Sequence, residues 1–347
     1  MSSGSKHPIR PLGNMSKTKA FVKLLKLFLK GIRPWKSSSK PTNKPKKTEM
    51  VATEIADTKI DVEKEYQPHM WSTRFPTPED VIQQHTDFIT AESKRATESI
   101  PHELDVKYGT SEDQKLDIFG TDLPDDAAIL VYFHGGYWKE MSKDVARFPA
   151  ISLHRAEVKT IVIGYDHHRK VTLWDIVDQA ENAISFALNY AEKMGSRGVY
   201  LAGHCAGAHL IAKVLGNFEF CDTIKGLKGV FFISGIYDLR EFCDTSANTI
   251  QLEKLDAISM SPLHGSYDHL EHSEIRFYIL AAEKDSTTFK KQSRDFYELL
   301  NEVCPMDNMY LEIKDRVDHY DIVECFVNKN NYLKNLILHD IRKYCKP

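Results

Sequence analysis

Val199-Tyr200-Leu201-Ala202-Gly203-His204-Cys205-Ala206-Gly207-Ala208-His209 decides how the rest of the chain is read. Residues 199–203 form a short apolar run with a β-branched start, as a buried strand requires. Residues 206–215 continue as an apolar helix, with only Gly203 and Gly207 around the turn between them. A strand that feeds a helix through so tight a turn belongs to a βα unit of a parallel sheet. Working upstream, residues 127–133 (Ala-Ala-Ile-Leu-Val-Tyr-Phe) are a second continuous apolar run, followed by a helix-like stretch at 143–156 and a strand at 160–165. Residues 172–194 carry Leu173, Ile176, Val177, Ala180, Ile184, Ala187, Leu188 and Ala191 on one helical face. Downstream come a strand at 228–234, a loop-rich stretch to Glu274, a strand at 275–282, a helix at 287–303, a strand at 309–314 and a helix at 321–343. Residues 104–119 read as a leading hairpin. The expectation is an α/β fold with a mostly parallel central sheet and helices on both faces, its chemistry at the carboxyl ends of the strands.

Gly203-His204-Cys205-Ala206-Gly207 has the form G-x-S-x-G with cysteine in the serine position. Such a turn exposes its central residue, and the helix that follows points N–H groups at developing negative charge. His134-Gly135-Gly136-Tyr137-Trp138 stands 71 residues upstream of Cys205, directly after a buried strand. Bare glycine backbone there lets the N–H groups of Gly135 and Gly136, with that of Ala206, reach an oxyanion. The chain order nucleophile, acid, base then asks for two more groups. Asp285 follows the 275–282 strand and His319 follows the 309–314 strand, one helix and one strand apart. An imidazole takes the proton of the nucleophile, and a carboxylate fixes its tautomer. Asp238 is the rival acid; Asp318 adjoins the base too closely to reach its ring. His134, Tyr137 and Trp138 are the residues expected beside the substrate, with loop bracing the alternative for His134 and simple packing for the two aromatics. The other histidines form no metal-ligand set, so no metal and no cofactor are expected.

These segments resemble the kynurenine formamidase (arylformamidase) family of α/β-hydrolases. The resemblance rests on His134-Gly135-Gly136-Tyr137-Trp138 and Gly203-His204-Cys205-Ala206-Gly207-Ala208-His209. Asp285-Ser286 with Gln292-Ser293 and Asp318-His319-Tyr320-Asp321-Ile322-Val323-Glu324 extend it. Tyr66-Gln67-Pro68, Trp71-Ser72, Tyr108-Gly109 and Leu116-Asp117-Ile118 fit as well, so that it covers roughly residues 64–340. It implies an α/β-hydrolase fold and hydrolysis of N-formyl-L-kynurenine to kynurenine and formate, in tryptophan breakdown. It carries over a triad of the elbow residue, Asp285 and His319. The family nucleophile is serine, and here the position is Cys205. A cysteine hydrolase, a slow one, and a non-catalytic relative that still binds ligand all remain compatible with that change, as does a carboxylesterase acting on small aryl or acyl esters. A thiolate beside imidazole is a strong nucleophile, and the retained acid, base and glycine loop favour retained chemistry.

Charge divides the 347 residues unevenly. Residues 1–48 hold thirteen Lys+Arg and no acid, leaving 33 basic against 49 acidic residues behind a net charge of −3. The expected organisation is therefore a basic arm over residues 1–63 and a hydrolase domain over 64–347. The acidic balance of the domain argues against a nucleic-acid partner. In the arm, Phe21, Leu24, Leu25 and Phe28 share a helical face over residues 16–30, and Lys19, Lys23, Lys26 and Lys30 form a second stripe. Residues 36–47 read as a polar, disordered flank. A Lys-rich amphipathic helix suits peripheral contact with an anionic membrane. A mitochondrial presequence and a plain tail are the alternatives, beside a cytoplasmic location for the domain. Lysines break the apolar stretch too often for a secretory signal, and no run approaches a membrane span. The six cysteines show no C-x-x-C and no disulfide framework, and read as reduced thiols. The expected partner is a small aromatic formamide or ester; the sequence leaves the oligomeric state open.

Overall fold

Among the described residues the expected alternation is present as eight strands in one sheet. The computed structural model describes residues 60–220, 224–327 and 332–345. Residues 1–59 of the arm, with the expected helix at 16–30 and flank at 36–47, and Cys221 lie outside them. The strands are β1 (His102–Lys107), β2 (Lys115–Phe119), β3 (Ile129–Phe133), β4 (Lys159–Ile163), β5 (Val199–His204), β6 (Leu227–Ile233), β7 (Arg276–Ala282) and β8 (Met309–Lys314), in the order β1-β2-β4-β3-β5-β6-β7-β8. β1 and β2 form the leading hairpin and β2 joins β4 antiparallel; every other pairing is parallel.

The helices are α1 (Val62–Glu65), α2 (Pro78–Ser99), α3 (Ala150–His154), α4 (Leu173–Met194), α5 (Ala206–Leu215), α6 (Lys254–Met260), α7 (Thr287–Asn301), α8 (Asp321–Glu324) and α9 (Tyr332–Tyr344). Strand periodicity distributes them over two layers, because successive side chains leave opposite faces of a sheet. Ile129, Val131, Phe133, Ile161, Leu201 and Phe232 belong to one core with the apolar faces of α4, α5 and α7. Leu130, Tyr132, Val162, Tyr200, Ala202 and Phe231 belong to the other, against α2, α3 and α9. The central strands are buried on both faces, which is why they read as unbroken apolar runs. Among the described residues, no helix is long and apolar enough to cross a membrane.

Three stretches differ from their expected form. The helix expected at 143–156 is a single 3-10 turn, Lys143–Val145, and then the short α3. Pro149 stands at the cap of α3, where its missing N–H and its ring bar a continuous helix. The final helix starts as α8 and resumes as α9 beyond residues 328–331, which lie outside the described set. The 22-residue helix α2 was not anticipated. Its buried face is Val81, His85, Ile89, Ser93 and Ala96, two of them polar, which hides the apolar period. Its start was legible: Thr77 and Asp80 form a reciprocal capping box around Pro78.

Candidate active site

β3, β5, β6, β7 and β8 run parallel, so the loops after them meet at one edge of the sheet. At that edge Cys205 takes φ 52° and ψ −113°, a conformation that L-residues rarely adopt. Its N–H donates to the Ile233 carbonyl at 2.9 Å and its own carbonyl accepts from His209, so the elbow is tied to β6 on one side and to α5 on the other. The flanking glycines are steric requirements. A Cβ on Gly203 would lie 2.6 Å from the Ala208 nitrogen, and one on Gly207 would lie 2.2 Å from the Phe133 carbonyl oxygen and 2.7 Å from that of His134. The end of β3 and the first turn of α5 therefore touch backbone to backbone. Left-handed strain held by such surroundings is a mark of functional sites.

Asp285 and His319 arrive at the same place. His319 Nδ1 is 2.7 Å from Asp285 Oδ1, and Cys205 is near enough for its charge to act on the ring. With Nδ1 engaged by the carboxylate, Nε2 is the nitrogen left for the sulfur. Asp285 Oδ2 accepts from Ser234 Oγ at 2.6 Å and from the Ala282 N–H at 2.7 Å, which leaves the carboxylate fully engaged. All three side chains are at least 97% buried. Burial works to lower the pKa of His319, but negative charge at Cys205 and then at Asp285 outweighs it and pushes the ring up to about 10. Asp238, the rival acid, pairs instead with Arg240 at 2.6 Å.

His204 was not singled out for a role, yet it links the elbow to the base. Its Nε2 lies 2.8 Å from the carbonyl oxygen of His319, and the two rings sit 4.7 Å apart. Burial and the charge of His319 hold its pKa well below the ordinary histidine value, so it is neutral and donates from Nε2. Ser234 was missed as well. Its position directly after β6, at the same edge as the acid, was the available signal.

The glycine loop closes the third side. A Cβ on Gly135 would lie 3.1 Å from His204 Nδ1 and 3.2 Å from the Cys205 Cβ, so bare backbone faces the elbow. Gly136 has φ +102°, and a Cβ there would meet the Glu140 carbonyl oxygen at 2.4 Å. Tyr137 and Trp138 continue in left-handed backbone, with φ 46° and 59°. His134 is buried against Tyr165, their rings stacked 4.4 Å apart, and burial pushes its pKa down to about 4. Tyr165 donates to the His134 carbonyl at 3.0 Å, so the pair braces the loop. Tyr137 stacks on Phe242 at 5.3 Å and donates its hydroxyl to the Tyr66 carbonyl at 2.9 Å. Trp138 is fully buried, edge-on to His209 at 4.8 Å. The structure thus brings Cys205, Ala206, Asp285, His319, Gly135 and Tyr137 around one point and sets His134 and Trp138 in the packing behind the loop. Among the described residues, no group of three or more His, Cys, Asp or Glu could hold a metal ion.

A parallel sheet of this order, with a strained elbow at the end of β5 and an acid and base after β7 and β8, defines an α/β-hydrolase, and the chain is a hydrolase. The same architecture recurs in solved esterases. Esterase B from Lactobacillus rhamnosis aligns at a TM-score of 0.59 over 77% of this chain and 93% of its own, with 15% identity. A hyperthermophilic esterase from Pyrobaculum calidifontis aligns at 0.58 over 76% and 93%, with 14% identity. No family model matches the sequence. Sequence comparison goes further: the chain is 32% identical over 292 residues to the kynurenine formamidase of Danio rerio, spanning 82% of this chain and 97% of that one. It is 31% identical to that of Salmo salar, over 81% and 95%. The chain belongs to the kynurenine formamidase family.

Proposed function

We propose that this protein hydrolyses N-formyl-L-kynurenine to kynurenine and formate through Cys205, His319 and Asp285. The observation that carries the reading is the 2.7 Å bond from Asp285 Oδ1 to a His319 ring whose backbone His204 ties to the strained elbow at Cys205. His319 Nε2 already holds the proton given up by the Cys205 thiol when Sγ bonds to the formyl carbon. The N–H groups of Gly135, Gly136 and Ala206 hold the resulting oxyanion. His319 then returns the proton to the arylamine nitrogen as the C–N bond breaks, which leaves a formyl thioester on Cys205. Water, deprotonated by the same ring, attacks that carbon; the C–S bond breaks and formate leaves. Asp285 keeps Nδ1 protonated and the imidazolium stabilised throughout. Tyr137, with Trp138 and His134 behind it, borders the aryl group. Residues 64–347 carry this chemistry, and the basic arm within residues 1–63 supplies peripheral contact with anionic membrane.

The test compares wild type with Cys205→Ala and Cys205→Ser on N-formylkynurenine and on a panel of aryl and acyl esters. Turnover by wild type and its loss in Cys205→Ala are expected. Wild type equal to Cys205→Ala, with a gain in Cys205→Ser, would refute the cysteine hydrolase and leave a ligand-binding relative. Esters outpacing every formamide would favour the carboxylesterase reading, which the esterase-like fold also accommodates. For the arm, deletion of residues 1–48 should abolish binding to anionic liposomes; unchanged binding would reduce it to a plain tail.

A further inference from the structure

The Asp318–Glu324 motif holds three carboxylates beside the base, and the mechanism above uses none of them. His319 sits in the turn between β8 and α8, where no strand ladder holds it. The Asp318 carboxylate builds that turn. Its Oδ1 accepts from the N–H groups of Tyr320 and Asp321, both at 2.8 Å, while the Asp318 N–H donates to Asp321 Oδ1 at 2.6 Å. Asp318 is 1% exposed, and a charge so buried must be paired. Its partners come from a segment some 245 residues earlier. Ser72 Oγ donates to Oδ2 at 2.5 Å, and Arg74 Nε donates to the same oxygen at 2.8 Å.

Arg74 does not stop there. Its Nη1 and Nη2 bond Glu324 at 2.8 and 3.3 Å, and Nε stands 3.8 Å from Asp321. Glu324 in turn meets His85 Nδ1 from α2 at 2.9 Å. One planar guanidinium thus bridges the two ends of the segment that carries His319, a task that suits its fixed fork and that an ammonium performs for one carboxylate at a time. Without it, Asp318, Asp321 and Glu324 would face one another, with His85 paired to Glu324 and with Lys284 and Arg316 lining the same cleft but in no ion pair with the three carboxylates. Their crowding is already visible: burial and then the charge of Asp318 push Asp321 up to about 7.

We propose that Arg74 is a positioning residue for the hydrolysis, holding His319 at the Cys205 sulfur through its ion pairs with Asp318 and Glu324. The inference rests on the Cys205–His319 reading of the site. It also gives a physical role to two pieces of the family-like sequence, the one around Ser72 and the one around His319, that are far apart in the chain.

The experiment uses the full chain with Arg74→Gln, Arg74→Lys and His319→Gln. Three quantities are read: kcat and KM on N-formylkynurenine, the melting temperature, and the rate at which iodoacetamide alkylates Cys205 at pH 7, followed on its peptide by mass spectrometry. A displacement near 1 Å at a reacting group costs ~10²-fold, so Arg74→Gln should lower kcat by about ten- to a hundredfold with KM nearly unchanged. Its Cys205 alkylation should fall towards that of His319→Gln, and Arg74→Lys should recover part of both. If Arg74→Gln does not fold, Arg74→Lys carries the same comparison at smaller amplitude. A lowered melting temperature with kcat and alkylation intact would make Arg74 a structural tie only and overturn the proposal. If His319→Gln itself leaves turnover and alkylation unchanged, the Cys205–His319 reading falls, and this inference with it.

Discussion

Replacing Gly207 by alanine tests whether the glycine loop acts through its distance from the elbow. The added Cβ would stand 2.2 Å from the Phe133 carbonyl oxygen, where real contacts are essentially never under 3.0 Å. Both partners are backbone at the carboxyl end of β3 and the first turn of α5, so no side chain can rotate away. The end of β3 must therefore retreat from the elbow by about 0.8 Å or more, and His134, Gly135 and Gly136 move with it. The N–H groups proposed to hold the oxyanion then miss its position by nearly 1 Å, for a loss of ~10²-fold in kcat, or about 2.7 kcal/mol of barrier. The assay is steady-state formation of kynurenine, with the melting temperature measured in parallel. Gly195→Ala is the control. Gly195 caps α4 at φ +68° with nothing within 4 Å, so its substitution strains the backbone without pushing on the site. It should cost about 1 kcal/mol of stability and leave kcat unchanged. A folded Gly207→Ala variant with kcat within threefold of wild type would refute the reasoning.

Ser234→Ala removes the hydroxyl that donates to Asp285 Oδ2, leaving the Ala282 N–H alone on that oxygen. Hydrogen bonds to charged groups contribute roughly 1.5–3 kcal/mol, so a fall in kcat of about tenfold or more is expected, and unchanged kinetics would remove Ser234 from the acid's support. The stability of the domain should fall as the pH drops below about 6.5. Below it, the unfolded chain protonates its histidines while burial keeps His134 neutral to about 4 and His209 to about 3; for His134 alone the loss approaches about 3 kcal/mol. Melting temperatures that stay flat from pH 7 to 4 would show that the buried histidines are not held neutral. Asp340→Ala should destabilise by about 3–5 kcal/mol: it strips both carboxylate bonds from the buried Arg276 and the acceptor of Tyr278. A midpoint in urea within 1 kcal/mol of wild type would contradict that.

Sequence revealed most where one physical cause dominates. β3, β5 and β7 are buried on both faces and therefore carry unbroken apolar runs, and the order of elbow, acid and base follows from parallel strands that all end at one edge. The helix α2 escaped notice because His85 and Ser93 occupy its core face, each satisfied by a distant partner, Glu324 and the Phe148 N–H. The break before α3 could have been read from Pro149. Arg74 and Ser234 were out of reach for a different reason: a polar side chain on a loop gains its meaning from the group it meets, and no local period announces that meeting. Gly135 was placed from its motif, but the reason for the glycine, a Cβ against both His204 and Cys205, is a fact of packing.

The bond from His204 to the His319 carbonyl has a consequence for motion. His204 precedes Cys205 in the chain, so this single contact makes the sulfur and the imidazole parts of one short loop of covalent and hydrogen bonds. A displacement of the turn after β8 would then be passed on to the elbow through this bond. Such a device preserves an alignment rather than a location. It would let the base follow a longer C–S bond as readily as a C–O bond, and so it makes a cysteine at this elbow less disruptive than its size suggests.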